Sequence, residues 1–181
     1  MRPTQRRFGI REVDLVSRAM CSHGGALLSP SGSAEARPIR LTGKRCGGVV
    51  VATTGRRLDP DELGPMPANA VVAEFVPQAA LLQRADLLVS HSGSGTMPGG
   101  LVHGVPQVAL PRGTDQPHNA ALLARAGAGV VVAPEDYAIP TIRAAVAEVT
   151  GDPAFRAAAE RVRDEIAAMP DADAVWASLS A

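Results

Sequence analysis

From Gly47 onward, short apolar runs alternate with stretches of helical periodicity, and that alternation leaves very few architectures open to the chain. The runs are Val49-Val50-Val51-Ala52, Ala70-Val71-Val72-Ala73-Glu74-Phe75, Leu87-Leu88-Val89-Ser90, Val108-Ala109-Leu110 and Val130-Val131-Val132. Each is too short for a helix and mostly apolar at successive positions, so each reads as a strand buried on both faces. Helices are expected over 78–84, where Pro77 suits a first turn, around 99–103 after a glycine-rich turn, over 116–126 with Gly127 as a C′ residue, and over 141–150. Asp152 caps a fifth helix with Pro153 at its first position, running to about Met169, and Asp171 caps a short sixth ending at Leu179. Strands of this kind, alternating with helices, pair in parallel between two helical layers. The expected fold class is α/β, a Rossmann-like doubly wound parallel sheet whose ligands sit beyond the carboxyl ends of the strands.

Residues 1–46 are of another kind. They hold nine Lys/Arg and three Asp/Glu, against nine and fifteen in the remainder of a chain that is formally neutral. Gly24-Gly25, Pro30, Gly32, Pro38 and Gly43 interrupt any period, and the apolar clusters Val13-Asp14-Leu15-Val16 and Ala26-Leu27-Leu28 are too short to assign. The expected organisation is an irregular or poorly ordered segment over 1–46 and a folded domain over 47–181. Neutrality argues against a general nucleic-acid binder, and no run of about 18 apolar residues supplies a membrane span. Cys21 and Cys46 have neither CxxC nor zinc spacing, and read as reduced thiols of a cytoplasmic protein. Arg6-Arg7-Phe8 is followed by no apolar stretch, so it is not read as an export signal.

Chemistry is expected at two strand-to-helix junctions. The third strand runs into His91-Ser92-Gly93-Ser94-Gly95-Thr96. Glycines let a backbone approach a ligand closely, and the unpaired N–H groups of a helix start attract phosphate. Ser94 and Thr96 add hydroxyls and His91 an imidazole donor. The same residues also suit a capped helix start that binds nothing. No Lys follows the glycines, which excludes a Walker loop, and the spacing is not GxGxxG, which weakens a nicotinamide or flavin reading. The next junction is Pro111-Arg112-Gly113-Thr114-Asp115-Gln116-Pro117. Here Asp115 and Gln116 could accept from and donate to sugar hydroxyls, or Asp115 could simply cap a helix with Pro117 in its first turn, making His118 and Asn119 ordinary first-turn residues. Phe75, at the end of the second strand, fits either a nucleobase contact or the core.

Taken in order, FVPQ, HSGSGT, GLVHGVPQVALP, TDQPHNA and GAG resemble the donor domain of GT-B glycosyltransferases. More narrowly, they resemble the UDP-glycosyltransferase superfamily and its bacterial macrolide and antibiotic members, over about 47–168. The resemblance implies a donor diphosphate held by His91, Gly93, Ser94, Gly95 and Thr96. It implies a nucleobase beside Phe75, Val76 and Gln78, with Phe75 where related plant enzymes carry a stacking Trp, and sugar hydroxyls held by Asp115 and Gln116. It implies no cofactor and no metal, the helix dipole and His91 standing in for a cation on the leaving diphosphate.

The implied function is metal-independent, inverting transfer of a hexose from a TDP- or UDP-sugar to a small-molecule hydroxyl. The sequence departs from the family at Ser92, where glycine is common, and at Gly99, where many plant members have a ribose-binding Glu. In the family the domain opens with a central strand ending in a Gly-Ser or Gly-Thr turn. Val49 to Thr53 resembles the second strand, Pro30 spoils the nearest imitation of the first over 26–33, and the sheet is therefore expected to lack its first strand. The acceptor domain, which carries the catalytic base, is likewise expected to be absent, so no catalytic residue is assigned and a separately encoded partner domain is the implied complement. The alternative is a non-catalytic nucleotide-sugar-binding fragment or subunit. The apolar stripe of the last two helices, left without that partner domain, implies a tendency to associate.

Overall fold

A computed structural model describes residues 18–22, 49–53 and 68–179. Among these residues six strands form one sheet: β1 Arg18–Ser22, β2 Val49–Thr53, β3 Ala70–Ala73, β4 Leu87–Ser90, β5 Gln107–Ala109 and β6 Gly129–Val131. The order across the sheet is β3-β2-β1-β4-β5-β6, and every pairing is parallel. The doubly wound architecture expected from the alternation is therefore present.

The first strand is not missing, and that expectation is corrected. Arg18–Ser22 lies in the middle of the sheet, with Met20 opposite Val51 of β2 on one side and Leu88 of β4 on the other. The segment contains no β-branched or aromatic residue, so no strand signal shows in it. Backbone hydrogen bonds to two neighbouring strands set its conformation instead. Val49–Thr53 is second in the chain order, as the resemblance implied. The other positions of 1–46 lie outside the described residues, among them the clusters at 13–16 and 26–28.

The helices are α1 Gln78–Leu82, α2 Thr96–Val102, α3 Gln116–Arg125, α4 Ile139–Gly151, α5 Pro153–Ala167 and α6 Ala172–Leu179. Pro77 stands at the N-cap of α1, one position before the expected first turn. The Asp152 carboxylate caps α5 through the Ala154 N–H at 2.8 Å, and Asp171 caps the start of α6 through the Ala174 N–H at 2.8 Å. Gly127 ends α3 at φ 72°, a left-handed conformation that a Cβ disfavours.

All four β4 residues are buried, and successive side chains feed opposite layers. Leu87 and Val89 join Val108, Leu110 and Val132 against Ile142, Ala145, Val146 and Val149 of α4. Leu88 points the other way, to Leu82, Ala85 and Val105. On that same side Ala109 packs with Met97 and Leu101 of α2, Ala120 and Leu123 of α3, and Ala158 and Ala159 of α5. Burying a leucine of this kind stabilises the fold by about 1.5–3 kcal/mol. At the amino ends of the strands Arg156 of α5 donates to the Asp86 carbonyl at 2.7 Å, fixing the approach to β4.

No helix among the described residues is long and apolar enough to cross a membrane. On α6, Trp176 and Leu179 are 72% and 77% exposed.

Candidate functional site

The strand order reverses between β1 and β4, since the chain winds outward from β1 through β2 to β3 and then crosses to β4. In open α/β sheets ligands collect at the carboxyl ends of the strands flanking such a switch point. Residues 91–96 leave β4 at that place, and residues 110–115 leave β5 immediately beside it.

The first loop is held from several directions. Ser92 is fully buried and has φ 63°. Its N–H donates to Ser90 Oγ at 3.1 Å, and its carbonyl accepts from Asn119 Nδ2 at 3.0 Å. Its own hydroxyl is buried without a partner. Beyond it, the Gly93 carbonyl accepts from the N–H groups of both Thr96 and Met97 at 3.0 Å, which starts α2. The Thr96 amide is thereby committed inside the helix, so its expected part in wrapping a ligand is narrowed to its hydroxyl. The exposed segment of the loop is Ser94-Gly95, and a Cβ built on Gly95 meets no atom within 4 Å. The space beside Gly95 is open, whereas the Ser94 N–H is directed at the Asp115 carboxylate. With seven residues α2 is short, and its first-turn N–H groups are already committed, those of Thr96 and Met97 to the Gly93 carbonyl and that of Gly99 to the Gly95 carbonyl, while Pro98 has none.

His91 is half-buried and lies over Gly93, where an added Cβ would stand 2.5 Å from Nε2. Glycine at 93 is thus explained by close packing of the imidazole.

In the second loop Asp115 stands at the N-cap of α3, yet its side chain makes no capping hydrogen bond. The carboxylate is exposed and turned sideways, accepting from Thr114 Oγ1 at 2.9 Å and Asn119 Nδ2 at 2.8 Å. Those donors, Thr114 first, hold its pKa below the usual carboxylate value, and the Ser94 backbone N–H adds to the effect. Ser94 and Asp115, from different junctions, therefore face one another. Gln116 Oε1 accepts from the N–H groups of Arg112 at 2.8 Å and Gly113 at 3.3 Å, bracing the loop from within. What Gln116 can direct at a ligand is its amide N–H, a donor only. Thr114 has φ 57°, an outlier for a β-branched residue. The loop's other support is Tyr137, whose hydroxyl donates to the Pro111 carbonyl at 2.5 Å. Burial raises the Tyr137 pKa to about 12, the positive Arg112 opposing it.

Phe75 is 79% exposed at the carboxyl end of β3, which removes the core reading and leaves an aromatic face free for stacking. Val76 and Gln78 are half-buried beside it, and Gln78 Nε2 is buried without a hydrogen-bond partner. Phe75, Val76 and Gln78 are thus at the edge-strand side of the switch point, while His91 and residues 93–96 adjoin Asp115 and Gln116 on the other.

Asn119, Thr114 and Tyr137 were not singled out from sequence. Asn119 was legible in principle, since it stands four positions after Asp115, the spacing at which helical side chains meet. Thr114 and Tyr137 carry no comparable local signal.

Comparison with known proteins identifies this arrangement. A family model described as "Erythromycin biosynthesis protein CIII-like, C-terminal domain" matches residues 44–181. Oleandomycin glycosyltransferase of Streptomyces antibioticus is 32% identical over 163 residues, which is 90% of this chain and 36% of that protein. The 4'-demethylrebeccamycin synthase of Lentzea aerocolonigenes is 44% identical over 121 residues, 66% of this chain and 28% of that protein. The chain thus spans about a third of the length of such relatives. Among solved structures, the spinosyn rhamnosyltransferase SpnG complexed with thymidine diphosphate superposes with TM-score 0.74 at 31% identity, covering 91% of this chain and 45% of that one. The solved neighbours are GT-B glycosyltransferases, and the sheet described above is one half of that fold.

Proposed function

The chain belongs to the erythromycin biosynthesis protein CIII-like C-terminal domain family, whose curated relatives are glycosyltransferases, and we propose that it binds the nucleoside-diphosphate end of a sugar donor. The observation that carries this reading is the juxtaposition at the switch point: an exposed Ser94-Gly95 turn and a half-buried imidazole on one side, and a carboxylate with an amide donor on the other. A pyrophosphate needs the first set and a sugar's hydroxyls the second.

In this reading His91, Gly93, Ser94, Gly95 and the Thr96 hydroxyl hold the diphosphate. Asp115 accepts from sugar hydroxyls and the Gln116 amide donates to them. Phe75 stacks on the base, with Val76 and Gln78 beside it, and the orphaned Gln78 Nε2 is a donor for a base carbonyl. A thymidine diphosphate bound to a structural neighbour supports a TDP-linked donor, with UDP-linked sugars as the second candidate. We take the binding unit to include β1 and not to begin at residue 47.

The reaction we propose for the whole enzyme is inverting transfer of a hexose to a small-molecule hydroxyl. The acceptor oxygen attacks the anomeric carbon from the face opposite the leaving group. The bond from that carbon to the β-phosphate oxygen breaks, and the electron pair departs with the diphosphate. The acceptor proton passes to a general base belonging to an acceptor-binding half, with which this chain would act. His91, the Ser94 hydroxyl and the Gly95 amide stabilise the charge gathering on the diphosphate, the part a cation plays elsewhere. On its two-cysteine composition we place this activity in the cytoplasm.

Titration calorimetry of the chain with TDP, TDP-glucose and UDP-glucose tests the reading. Binding that weakens in His91→Ala and Asp115→Ala supports it, and no binding to any of the three refutes it. Transfer to a phenolic or macrolide acceptor distinguishes a complete enzyme from a binding subunit.

A further inference from the structure

The single amide nitrogen of Asn119 reaches both junction loops. Nδ2 carries two hydrogens. One is donated to the Ser92 carbonyl at 3.0 Å and the other to Asp115 Oδ2 at 2.8 Å. The first anchors the loop that follows β4 at a residue held in the left-handed region, whose N–H is fixed separately by Ser90 Oγ. The second aims the carboxylate that leaves β5. Asn119 itself is carried in the first turn of α3, whose buried Ala120 and Leu123 fix that helix to the sheet.

We propose that Asn119 is a positioning residue that couples the diphosphate-binding loop to the sugar-binding carboxylate, so that the two subsites hold one geometry. This rests on the donor-binding reading above. The residue does not touch the ligand. It ties the Asp115 carboxylate to the loop that carries Ser94 and Gly95, and so sets the separation at which a pyrophosphate and its attached sugar are both accommodated.

Asparagine and aspartate are nearly the same shape, which makes the inference testable. In Asn119→Asp the donor becomes an acceptor facing a carbonyl and a second carboxylate. The shape is kept, and the helix dipole offsets part of the repulsion that the new charge meets from Asp115. A role in packing or helix stability therefore predicts a tolerated substitution, while a role as donor predicts a damaging one.

The expected result is that Asn119→Ala weakens TDP about tenfold, or about 1.4 kcal/mol. TDP-glucose, which also needs Asp115 in place, weakens further, so its advantage over TDP shrinks. Asn119→Asp binds no better than Asn119→Ala, and both variants melt within about 4 °C of the unaltered chain. Wild-type affinity for both ligands in either variant overturns the inference and leaves donor binding intact. A loss of affinity that tracks a loss of folded protein also overturns it. Failure of the unaltered chain to bind TDP or TDP-glucose refutes the donor-binding reading itself, and the inference with it.

Discussion

Ser92 and Thr114 have backbone φ angles of 63° and 57°, and among the described residues they are the two non-glycine positions in the left-handed region. One lies in each junction loop. Such backbone costs of order 1–3 kcal/mol per residue and persists where surrounding contacts over-determine it. Ser90 and Asn119 hold the two ends of Ser92, while the Thr114 hydroxyl lies within hydrogen-bond distance of both the Gly113 carbonyl and Asp115. Strain concentrates at the loops proposed to meet the donor.

Ser92→Gly should stabilise the protein. It removes the left-handed penalty and a buried hydroxyl that has no partner, and the greater freedom of an unfolded glycine offsets part of the gain. A net benefit of about 1 kcal/mol corresponds to a rise of about 2–4 °C in melting temperature. Calorimetric melting is the measurement, and a lower melting temperature would contradict the assigned strain.

Gly93→Ala should mimic loss of His91. The new methyl occupies the place of the imidazole Nε2, the far end of a side chain that rotates away at little cost to folding. We expect stability to change by less than about 1 kcal/mol. TDP affinity should fall roughly tenfold or more, as for loss of a hydrogen bond to a charged group. Calorimetry of Gly93→Ala beside His91→Ala checks this, and the two losses should match.

Phe75→Ala should separate binding from folding. The ring is exposed, so its removal should alter stability by no more than about 0.5 kcal/mol. Stacking of a base on an aromatic ring is worth about 1–3 kcal/mol, so TDP affinity should drop at least several-fold. Inorganic pyrophosphate, which has no base, should bind the variant and the unaltered chain alike in the same titration.

Stability should fall as pH rises from about 10 to about 12. Tyr137 stays neutral in the fold to about 12, whereas the same phenol ionises near 10 once unfolded. Between these values the native state holds the extra proton, and raising the pH favours unfolding. Below 10 the contribution is intact, and above 12 it no longer changes. Urea midpoints across this interval should decline in the unaltered chain and decline less in Tyr137→Phe. Because the chain has a single tyrosine, phenolate absorbance reports this group alone.

Of the two C-terminal helices whose apolar stripe implied a tendency to associate, α5 packs Ala158 and Ala159 into the core, whereas no residue of α6 is buried and Trp176 is largely exposed. Sedimentation of the chain alone at rising concentration reads that tendency directly.

Much of the fold and half of the candidate site could be read without coordinates. Strands β2 to β6 and the six described helices announce themselves through short apolar runs and through helix ends at Pro77, Asp152 and Gly127, but burial on both faces holds only for β4 and β5: β3 has no buried residue, and Val71 and Val131 are exposed. The same locality exposed His91, residues 93–96, Asp115 and Gln116, each adjacent to a strand end. What the tertiary structure alone decided is set by partners distant in sequence. Arg18–Ser22 is a strand because β2 and β4 flank it, not because its own residues prefer extension. Phe75 faces outward because the edge strand leaves it uncovered. Asn119 joins two loops because parallel pairing of β4 with β5 brings their carboxyl ends together, and a hydrogen bond across that gap leaves no mark on neighbouring residues in the chain.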